Sequence, residues 1–170
     1  MTHPVVKQLR FTRNKWRLGL NGVPAEDAIK RVNSMNSISW FVGHLASHEH
    51  LYWCMWAQGE NVFPELARYG WGQPATTPPL NEVLDMWEQV IQRSENYLNT
   101  ITQDMLEQPM MRDGQPVSRE PLGTNFIRIT YHYWFHLGEM QAVRQNLGHR
   151  DLSNFVGDIS GGEYMPEDKS

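Results

Sequence analysis

The sequence predicts an all-α fold, a four-helix bundle with long connections after the second and third helices. Apolar residues recur with a helical period in four segments of the 170-residue chain. No run of alternating β-branched residues bounded by turns stands out, so strand signals are weak. Four long amphipathic helices are typical of a bundle. We expect residues 1–170 to form a single domain.

The first helix is predicted over residues 5–20, and a short helical turn is predicted over residues 24–31. Asn21-Gly22 ends the first helix, and Pro24 stands near the start of the short turn. The residues that share the apolar face of the first helix are Val5, Leu9, Trp16 and Leu20.

The second helix is predicted to follow the capping residues 33–37 and to run to about Gln58, with Gly59 at its C-terminal end. Its apolar face comprises Phe41, His44, Leu45, His48, Leu51 or Tyr52, and Met55. The connection over residues 59–79 is rich in Gly and Pro. Its aromatic residues Phe63, Tyr69 and Trp71 predict that it packs against the helices.

The third helix is predicted to begin near residues 77–79 and the fourth near Leu122 or Thr124. The apolar stripe of the third helix comprises Leu80, Val83, Leu84, Trp87, Val90, Ile91, Leu98 and Ile101. A turn is expected at Asp113-Gly114 in the connection over residues 102–120. The fourth helix extends to Leu147, with Gly148 as its cap, and the tail after Arg150 is expected to lie over the bundle surface. The apolar face of the fourth helix comprises Ile129, His132, His136, Met140, Val143 and Leu147.

Composition and charge argue against several kinds of partner and compartment. The net charge is −4 and the pI is about 5.9, so we expect no nucleic-acid partner. The longest strongly apolar run, residues 51–57, is far shorter than the roughly 20 residues of a membrane helix, so no membrane association is expected. The N-terminal residues lack the apolar region of a secretory signal, and a single cysteine, Cys54, fits a reducing compartment. These features predict a cytoplasmic protein.

Two pairs of histidines carry the strongest chemical signal. His44 and His48 are four residues apart, as are His132 and His136, which places each pair on one helical face about 6 Å apart along the axis. Each pair falls within an apolar stripe, and buried imidazoles need hydrogen-bond partners. A metal ion shared between the second and fourth helices would satisfy several of them. The alternative is that these histidines are core residues without a metal.

Better-known motifs are missing from the sequence. In the segment 48–52, Tyr52 stands where the second histidine of a zincin helix would be. No glutamate is followed three residues later by histidine, which excludes the di-iron bundle signature. No Walker loop or Gly-x-Ser-x-Gly elbow is present. Cys54, among bulky apolar residues, is interpreted as an inert core thiol.

Two segments resemble the DinB/YfiT-like superfamily. Residues 37–49, SISWFVGHLASHE, are similar to its second helix, and residues 132–149, which begin HYWFHLGE, are similar to its fourth. The resemblance implies a four-helix bundle with three metal ligands, His44, His132 and His136. It leaves His48 as a pocket residue or an alternative ligand. The implied metal is a divalent transition ion, zinc or nickel, which three neutral imidazoles suit.

The resemblance also implies a reaction. Three histidines leave a coordination position open, as in catalytic rather than structural sites. The implied activity is transfer of a low-molecular-weight thiol to an electrophilic small-molecule substrate. A hydrolase that uses metal-activated water and a non-catalytic metal-binding or ligand-binding bundle remain alternatives. A homodimer is compatible with the apolar surfaces.

Charged residues near the histidines offer fewer roles. Glu49 and Glu139 flank the pairs, and each is interpreted either as a solvated helix carboxylate or as a group that orients an imidazole or acts as a base. Arg13 is expected to be a surface arginine or to meet an anionic substrate. The remaining histidines, His3, His50 and His149, lie off the stripes and are expected to be exposed or to cap helices.

Overall fold

The computed structural model describes residues 2–163 and is mostly helical. Its helical elements are α1 (Pro4–Leu20), α2 (Ala25–Ala28), α3 (Ile38–Glu49), a π-helical segment (His50–Trp56), a 3₁₀ helix (Pro64–Tyr69), α4 (Leu80–Leu98), α5 (Gln103–Leu106) and α6 (Leu122–Asn146). A two-stranded sheet, β1 (Pro109–Arg112) and β2 (Gln115–Pro121), accompanies them. The prediction of a mostly helical fold is therefore confirmed, and the small sheet was not predicted because strand signals in the sequence are weak.

The long helices begin close to the predicted residues, and two of them, α1 and α3, have a side-chain cap at the N-terminus. The Nδ1 atom of His3 accepts a hydrogen bond from Val5 N at 3.2 Å at the start of α1. At the start of α3, the hydroxyl of Ser37 accepts from Trp40 N at 3.2 Å. After α6, Gly148 has a φ of 86°, which favours glycine.

The π-helical segment that continues α3 was not predicted. In a π-helix the hydrogen bonds run from residue i to i+5, which changes the faces that successive side chains occupy. Tyr52, Trp53 and Cys54 are buried here, and residues 38–47 of the preceding α3 are all buried as well. His50, expected to be exposed or capping, is also buried, and its Nε2 atom accepts a hydrogen bond from the backbone N–H of Phe63 at 3.4 Å.

The sheet is a hairpin in the second long connection. Arg112 pairs with Gln115 across a two-residue turn, and Asp113 and Gly114 have φ values of 51° and 75°. Two successive positive φ angles suit the twist of paired strands. The predicted turn is thus confirmed, while its strands were missed because prolines at positions 109, 116 and 121 obscure the strand pattern.

The helices pack in pairs that determine where the site lies. Helix α3 packs against α4, α1 packs against α6, and α3 also contacts α6. Trp16, Trp53 and Trp87 are fully buried among the apolar side chains of these helices. The contact between α3 and α6 brings the two histidine pairs to one place.

The connection over residues 59–79 only partly follows its prediction. Tyr69 is buried and Phe63 packs against the core, as the prediction that the connection packs against the helices requires, but Trp71 is 91% exposed and does not contribute to this packing. The 3₁₀ helix ends at Tyr69, and the chain leaves the core at Gly70.

The described part of the tail lies along α1, as predicted. Lys15 Nζ donates to the carbonyl of Asp158 at 2.7 Å, and Gln8 donates to the carbonyl of Gly162 at 2.9 Å. The remainder of the tail, residues 164–170, lies outside the described residues. Across residues 2–163, none of the helices combines the length and hydropathy of a membrane span.

Candidate metal centre

Three histidine side chains from two helices converge on one point. His44 comes from α3, and His132 and His136 come from α6. The Nε2 atom of His132 lies 3.1 Å from Nε2 of His44 and 2.8 Å from Nε2 of His136. These three residues each offer a ligand atom, and the three atoms lie within 4.8 Å of one another. They could therefore hold a metal ion.

The other ring nitrogens determine which atoms face the centre. His44 Nδ1 lies 2.6 Å from the backbone carbonyl oxygen of Tyr69. A carbonyl oxygen only accepts, so Nδ1 of His44 donates, and the neutral ring keeps its lone pair on Nε2. His136 Nδ1 lies 2.6 Å from Oε2 of Glu139 and donates to that carboxylate in the same way. Two lone pairs are thus directed at His132.

This arrangement tests whether the residues fit a cation. A neutral His132 carries one N–H, so its Nε2 atom can donate to one of the two facing lone pairs and leaves the other without a proton. A divalent ion between the three Nε2 atoms would accept all three lone pairs at once. The donor set therefore fits a transition-metal ion that binds neutral imidazoles.

Burial keeps these imidazoles in the ligand form. Together with the neighbouring His136 and His44, it lowers the pKa of His132 to about 3. Burial lowers the pKa of His136 to about 3 as well, again assisted by nearby histidines. The pKa of His44 is lowered for the same first reason. All three rings are therefore neutral near pH 7.

His48 lies beside the cluster but is not one of the three converging residues. Its ring centroid is 4.3 Å from that of His132 and 4.7 Å from that of His44. Burial, with the neighbouring histidines, lowers its pKa to about 3. Its position is that of a half-buried pocket residue at the edge of the cluster.

The two flanking glutamates differ sharply. Glu139 hydrogen-bonds His136, as one of its two expected roles requires. Glu49 does not reach the histidines: its oxygens accept from Arg13 Nε at 2.9 Å and Nη2 at 2.7 Å, and from Tyr133 Oη at 2.8 Å. Both Glu49 and Arg13 are buried, so the expectations of a solvated Glu49 and a surface Arg13 are wrong. They form an internal ion pair instead.

An open cavity gives access to the cluster. It has a volume of about 490 Å³ and is lined by the three histidines, His48, Glu139 and aromatic side chains. Trp40 stacks on His44 with ring centroids 4.6 Å apart and planes within 13°, which restricts rotation of that imidazole. The aromatic residues of the cavity wall are Trp40, Trp71 and Phe135. The Tyr69 carbonyl could not be predicted as a partner of His44, because a backbone acceptor has no residue-type signature.

The candidate metal site lies within the part of the chain that a protein-family model matches. A family model described as the DinB superfamily matches residues 8–140. The match runs from α1 through most of α6 and includes His44, His132 and His136. The search of curated proteins found no match.

Proposed function

The chain belongs to the DinB superfamily, and we propose on this premise that it is an enzyme with a divalent metal ion on His44, His132 and His136. The observation that carries the proposal is the convergence of three Nε2 atoms within 4.8 Å, two of them with their lone pairs fixed by hydrogen bonds at Nδ1. The four long helices α1, α3, α4 and α6 are taken as the bundle that holds them.

Zinc and nickel are the proposed metals, since both accept neutral imidazole ligands. Three protein ligands leave at least one position for a substrate atom, and the cavity beside the cluster offers the route to it. A divalent ion supplies Lewis acidity there, which lowers the pKa of a thiol or a water that reaches it. The protein's part is orientation: the Tyr69 carbonyl and Glu139 hold the rings of His44 and His136.

The proposed reaction is transfer of a low-molecular-weight thiol to an electrophilic small molecule. The sulfur forms a bond to the electrophilic carbon, the leaving group departs with its electron pair, and the thiol proton passes to the leaving group or solvent. The resemblance to thiol-dependent members of the superfamily supports this choice. The aromatic walls formed by Trp40, Trp71 and Phe135 suit an apolar electrophile.

A second candidate is hydrolysis by metal-activated water. One observation favours it: His48 lies beside the cluster as a neutral imidazole outside the converging set. That ring is placed to accept a hydrogen bond from a nucleophile in the cavity. The two reactions differ in what is consumed, a thiol or water.

The first experiment measures metal content and affinity in untagged protein. We expect near-stoichiometric zinc, nickel or another divalent ion in the wild type and none in His136→Ala. Glu139→Leu removes the acceptor of His136 Nδ1 and should weaken metal affinity by about 10–100-fold. The matched control, Glu82→Gln on the exposed part of α4, should bind metal as the wild type does.

The activity of the metal-loaded protein is then assayed with thiols and a panel of electrophiles. Loss of free thiol that requires metal supports the transferase, and metal-dependent cleavage without thiol loss supports the hydrolase. Tight metal binding without turnover would leave a non-catalytic binding protein. Wild type that is metal-free, and whose Tm does not rise with added zinc or nickel, would refute the metal centre.

A further inference from the structure

An apolar cavity adjoins the one that opens onto the histidines. It has a volume of about 340 Å³ and lies between the end of α3, the π-helical segment and the 3₁₀ helix. The two cavities share His48 and Trp71 in their walls. A ligand with one end at the histidine cluster can therefore extend into the apolar cavity. The apolar residues of its wall are Leu51, Met55, Phe63, Pro64, Leu66, Ala67 and Trp71.

Within residues 2–163, the wall of the apolar cavity contains no aspartate, glutamate, lysine or arginine. Burial lowers the pKa of both His48 and His50, so these two rings are neutral near pH 7. The Ser47 hydroxyl already donates to the His44 carbonyl at 2.8 Å, and His50 Nε2 accepts from a backbone N–H. An uncharged ligand group suits such a wall, because a charged group would lose its hydration without gaining a counter-charge.

Trp71 stands at the boundary between the two cavities with almost its whole side chain in water. It is 91% exposed, although an indole buries a large apolar area when a partner covers it. A ligand that extends from the histidine cluster into the apolar cavity would pack against this indole and remove apolar surface from water. Such a ligand gives the exposed side chain a partner.

The size and composition of the apolar cavity favour an aromatic ring. Apolar cavities of about 150 Å³ hold benzene, and this one, at about 340 Å³, has room for a ring with a short substituent. Phe63 and Trp71 offer ring contacts, and the thioether of Met55 packs favourably against aromatic rings. Phe63 makes an edge-to-face contact with His50, with ring centroids 6.4 Å apart, so this part of the wall is formed before a ligand enters.

We propose that the apolar cavity binds an uncharged aromatic group of the electrophile whose reacting carbon lies at the histidine cluster. Trp71 packs against that group at the boundary of the two cavities. The position of the reacting carbon rests on the proposed function, whereas the aromatic site rests on the cavity and Trp71 alone.

The binding test uses metal-free protein, so that it does not depend on the metal centre. N-benzylacetamide, N-methylacetamide and 4-(acetamidomethyl)benzoate are titrated while the Trp71 indole N–H and the Met55 methyl group are followed by NMR. We expect N-benzylacetamide to shift both signals and to bind at least about tenfold more tightly than the other two, which lack the ring or carry a charge. Equal affinities for the three compounds would overturn the proposal.

Two variants test the position of the aromatic group. Trp71→Ala removes the indole, and Ala67→Phe fills the cavity from an exposed position on the 3₁₀ helix. Each should weaken binding of N-benzylacetamide several-fold, measured at the Met55 methyl group. Because both positions are exposed, the Tm should stay within about 2 °C of the wild type.

The matched control is Ala25→Phe, at an exposed alanine of α2 outside the cavity. It should bind N-benzylacetamide as the wild type does. Wild-type affinity in both Trp71→Ala and Ala67→Phe would overturn the aromatic site.

The activity test compares 2-bromo-N-benzylacetamide with 2-bromo-N-methylacetamide in zinc-loaded protein, with N-acetylcysteamine as the thiol. The sulfur forms a bond to the bromomethyl carbon, bromide leaves with its electron pair, and the thiol proton passes to solvent. We expect kcat/KM to be about tenfold higher or more for the benzyl compound, and the difference to shrink in Trp71→Ala. Metal-dependent turnover without this preference would overturn the proposal. Absence of turnover with both compounds, beside ring-selective binding in the metal-free protein, would refute the proposed reaction and support the aromatic site.

Discussion

At the scale of single residues, a hydrogen bond at Nδ1 of an imidazole determines whether its Nε2 atom can accept. His44 and His136 each donate through Nδ1, to the Tyr69 carbonyl and to Glu139, so their Nε2 atoms are acceptors. His132 completes the cluster. The close approach of these three imidazoles suits a metal ion, and it also makes protonation unfavourable. A second proton on any ring would place a positive charge beside the other rings.

The close packing of these imidazoles predicts that the stability of the metal-free protein depends on pH. The pKa values of His48, His132 and His136 are about 3 in the folded chain, against an ordinary value near 6.5. Their stability contribution is complete above pH 6.5 and is lost as the pH falls toward 3, because only the unfolded chain then binds these protons. Each group contributes about 1.4 kcal/mol per pH unit in that range.

The check is the free energy of unfolding in urea, measured from pH 7 to pH 5 for wild type and His132→Asn. The variant has one fewer such group, so its slope should be smaller by about 1.4 kcal/mol per pH unit in the steep range. Equal slopes would mean that His132 is protonated to the same extent in both states.

At the scale of elements, the 3₁₀ helix and α3 form a small unit that orients His44. Gly43 lets the ring of Tyr69 pack directly on α3, since a Cβ atom at Gly43 would lie 2.9 Å from Tyr69 Cδ2 and Cγ. The carbonyl of that same Tyr69 holds His44 Nδ1. The glycine next to His44 is therefore explained by the close approach of the 3₁₀ helix to α3.

Gly43→Ala tests this unit. The added methyl group must displace the Tyr69 ring, so we expect a destabilisation of about 1–3 kcal/mol from overpacking. We also expect metal affinity to fall by about tenfold, because the Tyr69 carbonyl moves away from His44. Calorimetric zinc binding and urea unfolding measure both effects.

Gly138→Ala is the matched control on α6. A Cβ atom there meets no atom within 4 Å, although Gly138 stands between His136 and Glu139. Alanine in a helix interior should stabilise the protein by about 0.5–1 kcal/mol and leave zinc affinity unchanged. Similar loss of zinc affinity in both variants would refute the specific role of Gly43.

The elements also show what the sequence could and could not predict. Spacing of four residues predicts which side of a helix His132 and His136 occupy, and the apolar stripes predict the four long helices. Neither says which polar groups meet across helices, so the partnership of Arg13 with Glu49 was missed. Trp71 was misplaced because hydrophobicity predicts burial only where the backbone allows it, and here the chain turns away at Gly70.

At the scale of the whole molecule, one buried polar network connects all four long helices. Arg13 of α1 contacts Glu49 of α3, and its Nη1 donates to Glu95 of α4 at 3.0 Å. Tyr133 of α6 donates to Glu49 and accepts from Trp87 Nε1 of α4 at 2.7 Å. Because Glu49 and Tyr133 are sequence neighbours of His48 and His132, the network also fixes α3 relative to α6.

Breaking this network should cost more than breaking an ion pair at the surface. Glu49→Gln leaves the Arg13 guanidinium buried with only Glu95 as its charged partner, and the positive charge remains because arginine is not deprotonated in proteins. Removing one member of a buried pair typically costs about 3–5 kcal/mol, and we expect about 3 because Glu95 remains. Urea unfolding at pH 7 measures this loss.

Glu88→Gln provides the surface comparison. It breaks the ion pair between Arg17 and Glu88, whose side chains are 37% and 48% exposed respectively. The loss should lower the free energy of unfolding by at most about 1 kcal/mol. The double variant Arg13→Met with Glu49→Met should be more stable than Glu49→Gln alone, because no buried charge is left without its partner. If Glu49→Gln costs no more than Glu88→Gln, the network does not hold the four helices together.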